Sequence, residues 1–409
     1  MSAGRNYLIV TGAYWGFTLT DGALRMLVLL HFYQLGYTPL MLSFLFLLYE
    51  TAGIFANLGG GWLAARFGIP RMLATGLSLQ IAGLLMLSAL DPHWGAAASV
   101  AWVVVAQGVA GVAKDLTKTA SKSAIKATSQ QGAGQLFRWV AWFTGSKNAM
   151  KGLGFFVGGF LLQVVGFRLA LWMMAAMLAA VLAGVALSLP RELGKAKASK
   201  SFRELFAKSR GVNILAAARI FMFGSRDVWF VVGLPVFLYS QGWHYIGVAT
   251  FLAAWTIGYG SVQAVAPQIV RRSQDGLSRE VPEARVWGIG LAAVPIALSL
   301  LLASEILPRP DLVVLVGLAV FGFAFAVNSS LHSYLVLAYA GTEKAAEDVG
   351  FYYASNAAGR LIGILLSGVL TQMAGLRGCL WGSAAMLVIC AALTFLLPTR
   401  EESLRLAVP

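Results

Sequence analysis

Residues 154–172 read GFFVGGFLLQVVGFRLALW, and residues 363–381 read GILLSGVLTQMAGLRGCLW. The identical residues at the same spacing in both stretches include Gly154, Gly159, Gln163, Gly166, Arg168 and Trp172, matched by Gly363, Gly368, Gln372, Gly375, Arg377 and Trp381. On the same offset Lys151 corresponds to Arg360, and an earlier region pairs Asp21, Tyr33 and Gly36 with Asp227, Tyr239 and Gly242. The spacing predicts one structural unit repeated twice in parallel.

The composition places this repeat in a membrane. Of the 409 residues 58% are hydrophobic and only 12% are charged, whereas roughly a quarter are charged in soluble proteins. Apolar runs of about twenty residues, long enough to cross a bilayer, recur throughout the chain. They lie at 7–33, 40–64, 72–90, 97–119, 137–165, 169–189, 212–240, 246–269, 286–304, 312–340, 349–373 and 379–397. The sequence therefore predicts an all-α polytopic membrane protein of about 12 transmembrane helices, whose first span is retained rather than removed as a signal.

A basic polar stretch divides the predicted spans into two sets. It predicts an N-terminal six-helix bundle at 1–189, a cytoplasmic linker at 190–211 and a C-terminal six-helix bundle at 212–409. With both termini inside, the inward loops and ends hold roughly nineteen Lys and Arg and the outward loops about three, which satisfies the positive-inside rule. We therefore expect both termini in the cytoplasm of a bacterial inner membrane. This asymmetry accounts for most of the net charge of +14, so nucleic acid is not an expected partner.

Charged residues inside the predicted helices point to the ligand. About nine basic residues but only four acidic ones, Asp21, Glu50, Asp115 and Asp227, lie at helix depth, where each charge costs at least ~2.5 kcal/mol. A purely structural set would be close to neutral, so the surplus predicts an anionic ligand. The candidate substrate-binding residues are these basic residues and the polar residues near them. They are Arg25, Lys114, Lys118, Lys147, Lys151, Arg219, Arg226, Asn328, His332, Asn356 and Arg360. His332 could equally be a hydrogen-bonded residue between packed helices.

Lysines recur every four residues along the fourth predicted span. They are Lys114, Lys118, Lys122 and Lys126, with Thr117, Ser121 and Thr128 beside them as hydroxyl donors. Phosphate-type oxyanions are bound by such mixtures of cations and hydroxyl or amide donors. The outer two lysines, Lys122 and Lys126, are interpreted as cytoplasmic anchors.

Three of the buried acids are candidate proton carriers: Asp21, Glu50 and Asp227. We expect Asp21 to pair with Arg25, four residues further along one helical face. Arg226 adjoins Asp227, but neighbouring side chains on a helix point apart. Glu50 has no local partner in its own helix, which makes it the preferred proton site.

Enzymatic functions lack support in the sequence. It contains no phosphate-binding loop and no H-E-x-x-H, paired C-x-x-C or G-x-S-x-G motif. Cys379 and Cys390 are eleven residues apart, roughly 16 Å along one helix, so they cannot jointly hold one thiophilic ion. We therefore expect no catalytic residues, no metal and no cofactor.

The loop after the second span, Gly61 to Arg71, reads GWLAARFGIPR. It resembles the signature loop of the major facilitator superfamily, with Ala65 in place of the family's aspartate. The resemblance implies that Gly61, Arg66, Gly68 and Arg71 belong to a gating loop and that substrate binds between the two halves. Gly145, Gly154, Gly158 and Gly159 partly resemble the superfamily's antiporter motif, although ordinary helix packing explains these glycines equally well.

Five further segments resemble the organoarsenical efflux permeases of arsenic-resistance operons, the ArsJ type. They are YWGFTLTDGALRM at 14–26, AKDLTK at 113–118, GSKNAMKG at 145–152, RDVWFVVGLP at 226–235 and GFYY at 350–353. The resemblance implies efflux of 1-arseno-3-phosphoglycerate, which forms when glyceraldehyde-3-phosphate dehydrogenase uses arsenate instead of phosphate. Arsenate resistance is the expected consequence of this efflux. Separately, the buried acids favour proton coupling, and we expect a monomer.

The charged residues are consistent with such a cargo, which carries a phosphate at one end and an arsenate at the other. Lys147 and Lys151 in one half and Arg226 and Arg360 in the other could each bind one end. Two alternatives remain open from the residues alone. They are an organophosphate or phosphate transporter of the same fold, and a transporter-like receptor that binds its ligand without moving it.

Overall fold

The computed structural model of the chain describes residues 3–128, 133–190, 209–271, 273, 277–304, 308–339 and 345–398. In these ranges every regular element is a helix. The helices are α1 (Ala3–Gln34), α2 (Pro39–Phe44), α3 (Leu47–Phe67), α4 (Ile69–Ser88), α5 (Ala96–Thr128), α6 (Ala133–Val164), α7 (Gly166–Ser188), α8 (Arg210–Phe230), α9 (Gly233–Ser240), α10 (Tyr245–Ile269), α11 (Glu280–Leu301), α12 (Pro310–Tyr339) and α13 (Ala345–Phe395).

Each predicted span falls on helix, although some boundaries differ. The span predicted at 40–64 is divided into α2 and α3, and the span at 212–240 into α8 and α9. The last two predicted spans are joined in α13, which is non-helical only at Ala374 and Gly375. Among the described residues, nine stretches are long and apolar enough to cross a membrane. A polytopic all-helical protein is confirmed, and the count of twelve spans stays a prediction.

The repeat detected in the sequence is also present in the backbone. Two matched pairs of glycines, at helix boundaries or at the break within α13, adopt left-handed conformations. Gly36 has a φ of 84° and its counterpart Gly242 a φ of 83°, while Gly166 and Gly375 have φ of 78° and 61°. Glycine is the residue that adopts positive φ without a steric penalty. The matched glycines therefore form corresponding turns.

The chain divides into two compact units. Unit 1 contains Met1–Ser201 and Gly242–Ile257, and unit 2 contains Phe202–Gln241 and Gly258–Pro409. The first part of α10 belongs to unit 1 because α6 packs closely on it, and a Cβ on Gly152 would lie 2.8 Å from the Ala253 carbonyl oxygen. Residues 191–208 of the predicted linker lie outside the described residues, and the predicted boundaries of 1–189, 190–211 and 212–409 stay a prediction.

Glycines bring α6 against α1 in unit 1. A Cβ on Gly154 would lie 2.3 Å from the Leu19 carbonyl oxygen, and one on Gly158 would lie 2.3 Å from that of Ala23. Unit 2 repeats the arrangement, since a Cβ on Gly363 of α13 would lie 2.5 Å from the Gly224 carbonyl oxygen of α8. These contacts confirm that Gly154 and Gly158 allow close helix packing.

The substitution Gly158→Ala is expected to destabilise unit 1 by about 1–3 kcal/mol, because the added methyl group meets backbone that cannot rotate away. Thermal unfolding of the detergent-solubilised protein measures the effect. Gly184→Ala in α7 is the matched control, since nothing lies within 4 Å of a Cβ there. Equal melting temperatures for the two variants would contradict the proposed close packing.

Candidate functional site

Glu50 lies at the centre of an ion-pair network in unit 1. Its side chain is fully buried on α3, and Arg25 Nη2 of α1 donates to its Oε1 at 2.6 Å. Lys114 Nζ of α5 lies 3.7 Å from the other carboxylate oxygen. The expected pairing of Arg25 with Asp21 is therefore wrong. Two cations from other helices therefore reach Glu50, which was predicted from its own helix alone to lack a partner.

Asp21 has a neutral partner instead. Its Oδ1 accepts a hydrogen bond from the Tyr49 hydroxyl of α3, at 2.5 Å. The same tyrosine ring lies 3.8 Å from Lys114 Nζ, a favourable cation–π contact. Tyr49 was not among the residues predicted for the site, because an ordinary aromatic residue in an apolar span carries no sequence signal.

Asp115 of α5 binds the two inner lysines of the predicted ladder. Lys118 Nζ lies 3.5 Å and Lys114 Nζ 3.8 Å from its carboxylate oxygens. The two neighbouring hydroxyls do not serve as the predicted donors. The Ser121 hydroxyl donates to the Thr117 carbonyl one turn back, and the Thr117 hydroxyl faces α4, where a Cβ on Gly76 would clash with it.

The second predicted lysine pair of unit 1 lies on α6. The Lys147 and Lys151 side chains are half-buried, and Lys151 Nζ lies 5.7 Å from the centre of the Phe155 ring. A Cβ on Gly22 would lie 2.7 Å from the Lys151 carbonyl oxygen, so this turn of α6 lies beside Asp21 on α1. The side chains of Lys122, Lys126, Thr128 and Arg138 lie outside the described residues.

Unit 2 contains an acid with two arginine partners. Arg226 Nε of α8 donates to Asp227 Oδ1 at 2.6 Å, and Arg360 Nε of α13 lies 3.4 Å from Asp227 Oδ2. The expectation that Arg226 and Asp227 point apart is wrong, because the long arginine side chain folds back along the helix. Arg360 and Asp227 occupy the positions that correspond to Lys151 and Asp21 in unit 1.

Arg219 of α8 is buried among neutral groups, with 2% of its surface exposed. Its Nε donates to Asn356 Oδ1 at 2.6 Å and its Nη1 to the Ser329 carbonyl at 3.1 Å. Its Nη2 lies 3.4 Å from the Ser333 hydroxyl oxygen. Within the described residues no carboxylate forms an ion pair with Arg219.

Three polar side chains of α12 are at, or next in sequence to, the residues that Arg219 contacts. Asn328, Ser329 and His332 are each at most 1% exposed. No hydrogen-bond partner in the described residues reaches Asn328 Oδ1, Ser329 Oγ or either ring nitrogen of His332. The interpretation of His332 as a hydrogen-bonded packing residue is therefore wrong. Ser329 and Ser333 were missed, since serines are common in membrane helices and their spacing to Arg219 is not visible in sequence.

The predicted gating loop joins α3 to α4. Arg66 is exposed at the end of α3, Gly68 precedes α4 with a φ of 81°, and Arg71 is exposed in the first turn of α4. Gly61 is helical. The loop thus forms a glycine turn between two exposed arginines.

The sequence model of the Major Facilitator Superfamily matches residues 8–347 and 277–408. The chain belongs to this superfamily. Membership identifies it as a multi-pass membrane protein that transports solutes, in agreement with the nine apolar stretches described above. A search of curated protein sequences finds no match.

Solved structures of superfamily transporters share the fold. A D-xylose–proton symporter superposes with a TM-score of 0.74 at 14% identity, covering 96% of this chain and 97% of the symporter. The nucleoside transporter NupG gives a TM-score of 0.73 at 14% identity, covering 97% of this chain and 100% of NupG. A structure of a proton-dependent oligopeptide transporter gives a TM-score of 0.69 at 14% identity, covering 96% of this chain and 98% of the oligopeptide transporter. At this identity the likeness establishes the fold alone.

Proposed function

We propose that the protein exports a multiply charged organic oxyanion, 1-arseno-3-phosphoglycerate, by alternating access and thereby confers arsenate resistance. The inner membrane, with both termini in the cytoplasm, is the proposed location. The observation that carries the proposal is Arg219, a buried guanidinium whose hydrogen-bond partners among the described residues are all neutral. A buried cation of this kind requires an anion to balance it.

Among the charges that the sequence predicts at helix depth, the described residues show a surplus of positive charge in each unit. In unit 1 five basic side chains, Arg25, Lys114, Lys118, Lys147 and Lys151, accompany three acids, Asp21, Glu50 and Asp115. In unit 2 three arginines, Arg219, Arg226 and Arg360, accompany one acid, Asp227. Guanidinium and ammonium groups beside amide and hydroxyl donors are suited to phosphate-like oxyanions. A cargo with a charged group at each end suits two such sets of cations.

The arsenic in this proposal rests on the family resemblance. The segments that resemble organoarsenical permeases contain several of the charged residues that the structure brings into ion pairs, although Glu50 and Arg360 lie outside them. The first segment holds Asp21 and Arg25, the second holds Lys114, Asp115 and Lys118, and a later one holds Arg226 and Asp227. The resemblance thus coincides with the polar clusters.

Proton coupling is part of the proposal, and the geometry favours Asp21 as the proton carrier. Glu50 and Asp227 each have cations at ion-pair distance. Asp21 accepts from a neutral tyrosine hydroxyl instead, so its protonation breaks no ion pair among the described residues. Dissipating the pH gradient should slow transport by the wild type but not by Asp21→Asn, and equal sensitivity would exclude Asp21.

Uptake into everted membrane vesicles tests the main proposal directly. Glyceraldehyde-3-phosphate dehydrogenase and arsenate outside the vesicles supply the ester, and trapped arsenic is measured with time. Uptake that requires both the dehydrogenase and this protein supports the proposal. Exchange of sugar phosphates without uptake of arsenic would instead support the organophosphate alternative, and binding without uptake would support a receptor.

Loss of either predicted end of the clamp should abolish arsenate resistance without loss of expression. In Arg360→Ala the buried Asp227 keeps Arg226 as its partner, so the variant should still fold. The substitution Lys147→Ala should have little effect on packing, because the Lys147 side chain is only half-buried. Growth on arsenate and membrane abundance are the measurements, with Arg168→Ala as the control at an exposed position. Full resistance in either variant would refute the clamp.

A further inference from the structure

A group of buried polar atoms in unit 2 has no hydrogen-bond partner among the described residues. The atoms are Asn328 Oδ1, Ser329 Oγ and both ring nitrogens of His332, within the part of the chain that the structure describes. These residues occupy adjacent turns of one helix, α12. Arg219 of α8 donates to the Ser329 carbonyl and reaches Ser333, the residue after His332. We name Arg219, Asn328, Ser329 and His332 the α12 polar pocket.

Such atoms are costly when nothing binds them. A buried polar group without a hydrogen bond destabilises a protein by about 1–3 kcal/mol, and most buried polar atoms in folded proteins are paired. In the described part of the chain, the Asn328 side chain forms a hydrogen bond only through its amide nitrogen, which donates to the sulfur of Met222 at 3.6 Å. Four unpaired atoms in two turns of one helix therefore indicate a ligand or water.

The chemistry of the unpaired atoms narrows the choice of ligand. Arg219 has five N–H groups, and three of them are used by the protein, so two remain as donors. The amide oxygen of Asn328 only accepts hydrogen bonds. A neutral imidazole has one donor and one acceptor, and the Ser329 hydroxyl can do either. The pocket thus offers both donors and acceptors.

A fully ionised oxyanion accepts hydrogen bonds but has none to donate. It would satisfy Arg219 and leave the acceptors of Asn328 and His332 unpaired. A hydroxyl group on the same ligand supplies the missing donor. We propose that the α12 polar pocket recognises a hydroxyl next to the charged group of its cargo, so that the transporter selects hydroxylated oxyanion esters. The inference rests on the proposed function and assigns the hydroxyl of the glycerate backbone to this pocket.

Competition in the vesicle assay tests this selectivity. Uptake of the arsenic ester is measured against increasing 3-phosphoglycerate or 3-phosphooxypropanoate, which is the same molecule without the hydroxyl. A site built to bind a hydroxyl rejects the analogue that lacks it, because its own polar atoms are left unpaired. We expect 3-phosphoglycerate to inhibit at a concentration at least about tenfold lower, which corresponds to one unpaired buried group.

Variants show whether the pocket is the source of the difference. In His332→Phe the ratio of the two inhibitory concentrations should fall severalfold, and in His332→Gln, which keeps a donor and an acceptor, it should be largely restored. Ser329→Ala gives the same readout if the phenylalanine variant does not reach the membrane. Ser299→Ala is the control, since its hydroxyl is also buried and without a partner but lies on α11. That variant should keep the wild-type ratio.

Each outcome decides between the two proposals. Equal inhibition by the two compounds, or no inhibition by either, would overturn the hydroxyl selectivity while uptake of the arsenic ester leaves the transport function standing. A wild-type ratio in His332→Phe and Ser329→Ala would also overturn it. Absence of ester uptake would overturn the transport function and the selectivity together.

Discussion

Arg219→Met is expected to abolish transport while the protein remains folded. The two free N–H groups of Arg219 would form charge-assisted hydrogen bonds to the cargo, each contributing about 1.5–3 kcal/mol. Losing both should lower transport by roughly 100-fold or more, because each 1.4 kcal/mol corresponds to a factor of ten. Initial rates of arsenic uptake into vesicles measure the effect.

Retention of the fold follows from the neutral surroundings of Arg219. Among the described residues, removing it leaves no carboxylate without its cation. The cost is limited to the neutral acceptors that lose their donor, about 1–3 kcal/mol for a buried one. Asn356, which loses its donor, is half-buried and can bind water. Arg285→Met is the matched control in the same unit, since Arg285 donates to the Phe395 and Leu397 carbonyls at the end of α13. Comparable transport losses in the two variants would refute a specific role for Arg219.

Glu50→Ala is expected to have the opposite effect, a loss of the folded protein itself. Glu50 is fully buried and balances both Arg25 and Lys114. Removing one member of a buried ion pair costs about 3–5 kcal/mol, since the remaining charge is left without compensation. That is a large part of the total stability of a folded domain. The melting temperature and the monodisperse yield after solubilisation are the measurements.

Two further variants test whether the loss of stability is specific to Glu50 or follows from removing any acidic residue. Glu283→Ala removes an acid whose partner, Arg271, is largely exposed, so the loss should be below about 1 kcal/mol. Glu50→Ala combined with Arg25→Met should recover part of the stability, because the double variant no longer buries the uncompensated guanidinium. An unchanged melting temperature in Glu50→Ala would contradict the buried network.

The fold was largely predictable because its signals are local or periodic. Long apolar runs required helices, and the identical spacing around Gly166 and Gly375 indicated the repeat that the backbone torsions display. The helix breaks were harder to predict, since α2 and α3 are separated by only two residues within an unbroken apolar run. The two residues at the break, Leu45 and Phe46, include no glycine or proline that would mark it.

The site was predictable in composition but not in its pairings. The sequence identified Arg25, Glu50 and Lys114 as buried charges, yet it could not show that residues from three helices meet. Local spacing suggested Asp21 as the partner of Arg25, but in the structure Arg25 pairs with Glu50 of another helix. The residues that were missed, Tyr49 and Ser333, are of types common in membrane helices, and only their distances to charged groups distinguish them.

The left-handed glycines at Gly36, Gly242, Gly166 and Gly375 have a consequence for the ancestry of the chain. An apolar side chain facing lipid can be exchanged for many others, so sequence similarity between the two halves is soon lost at such positions. A residue held at positive φ has almost no acceptable substitute, and selection preserves it for the shape of the backbone alone. The four turns should therefore keep the trace of the repeat longer than lipid-facing positions do, and distant relatives should be aligned on them first.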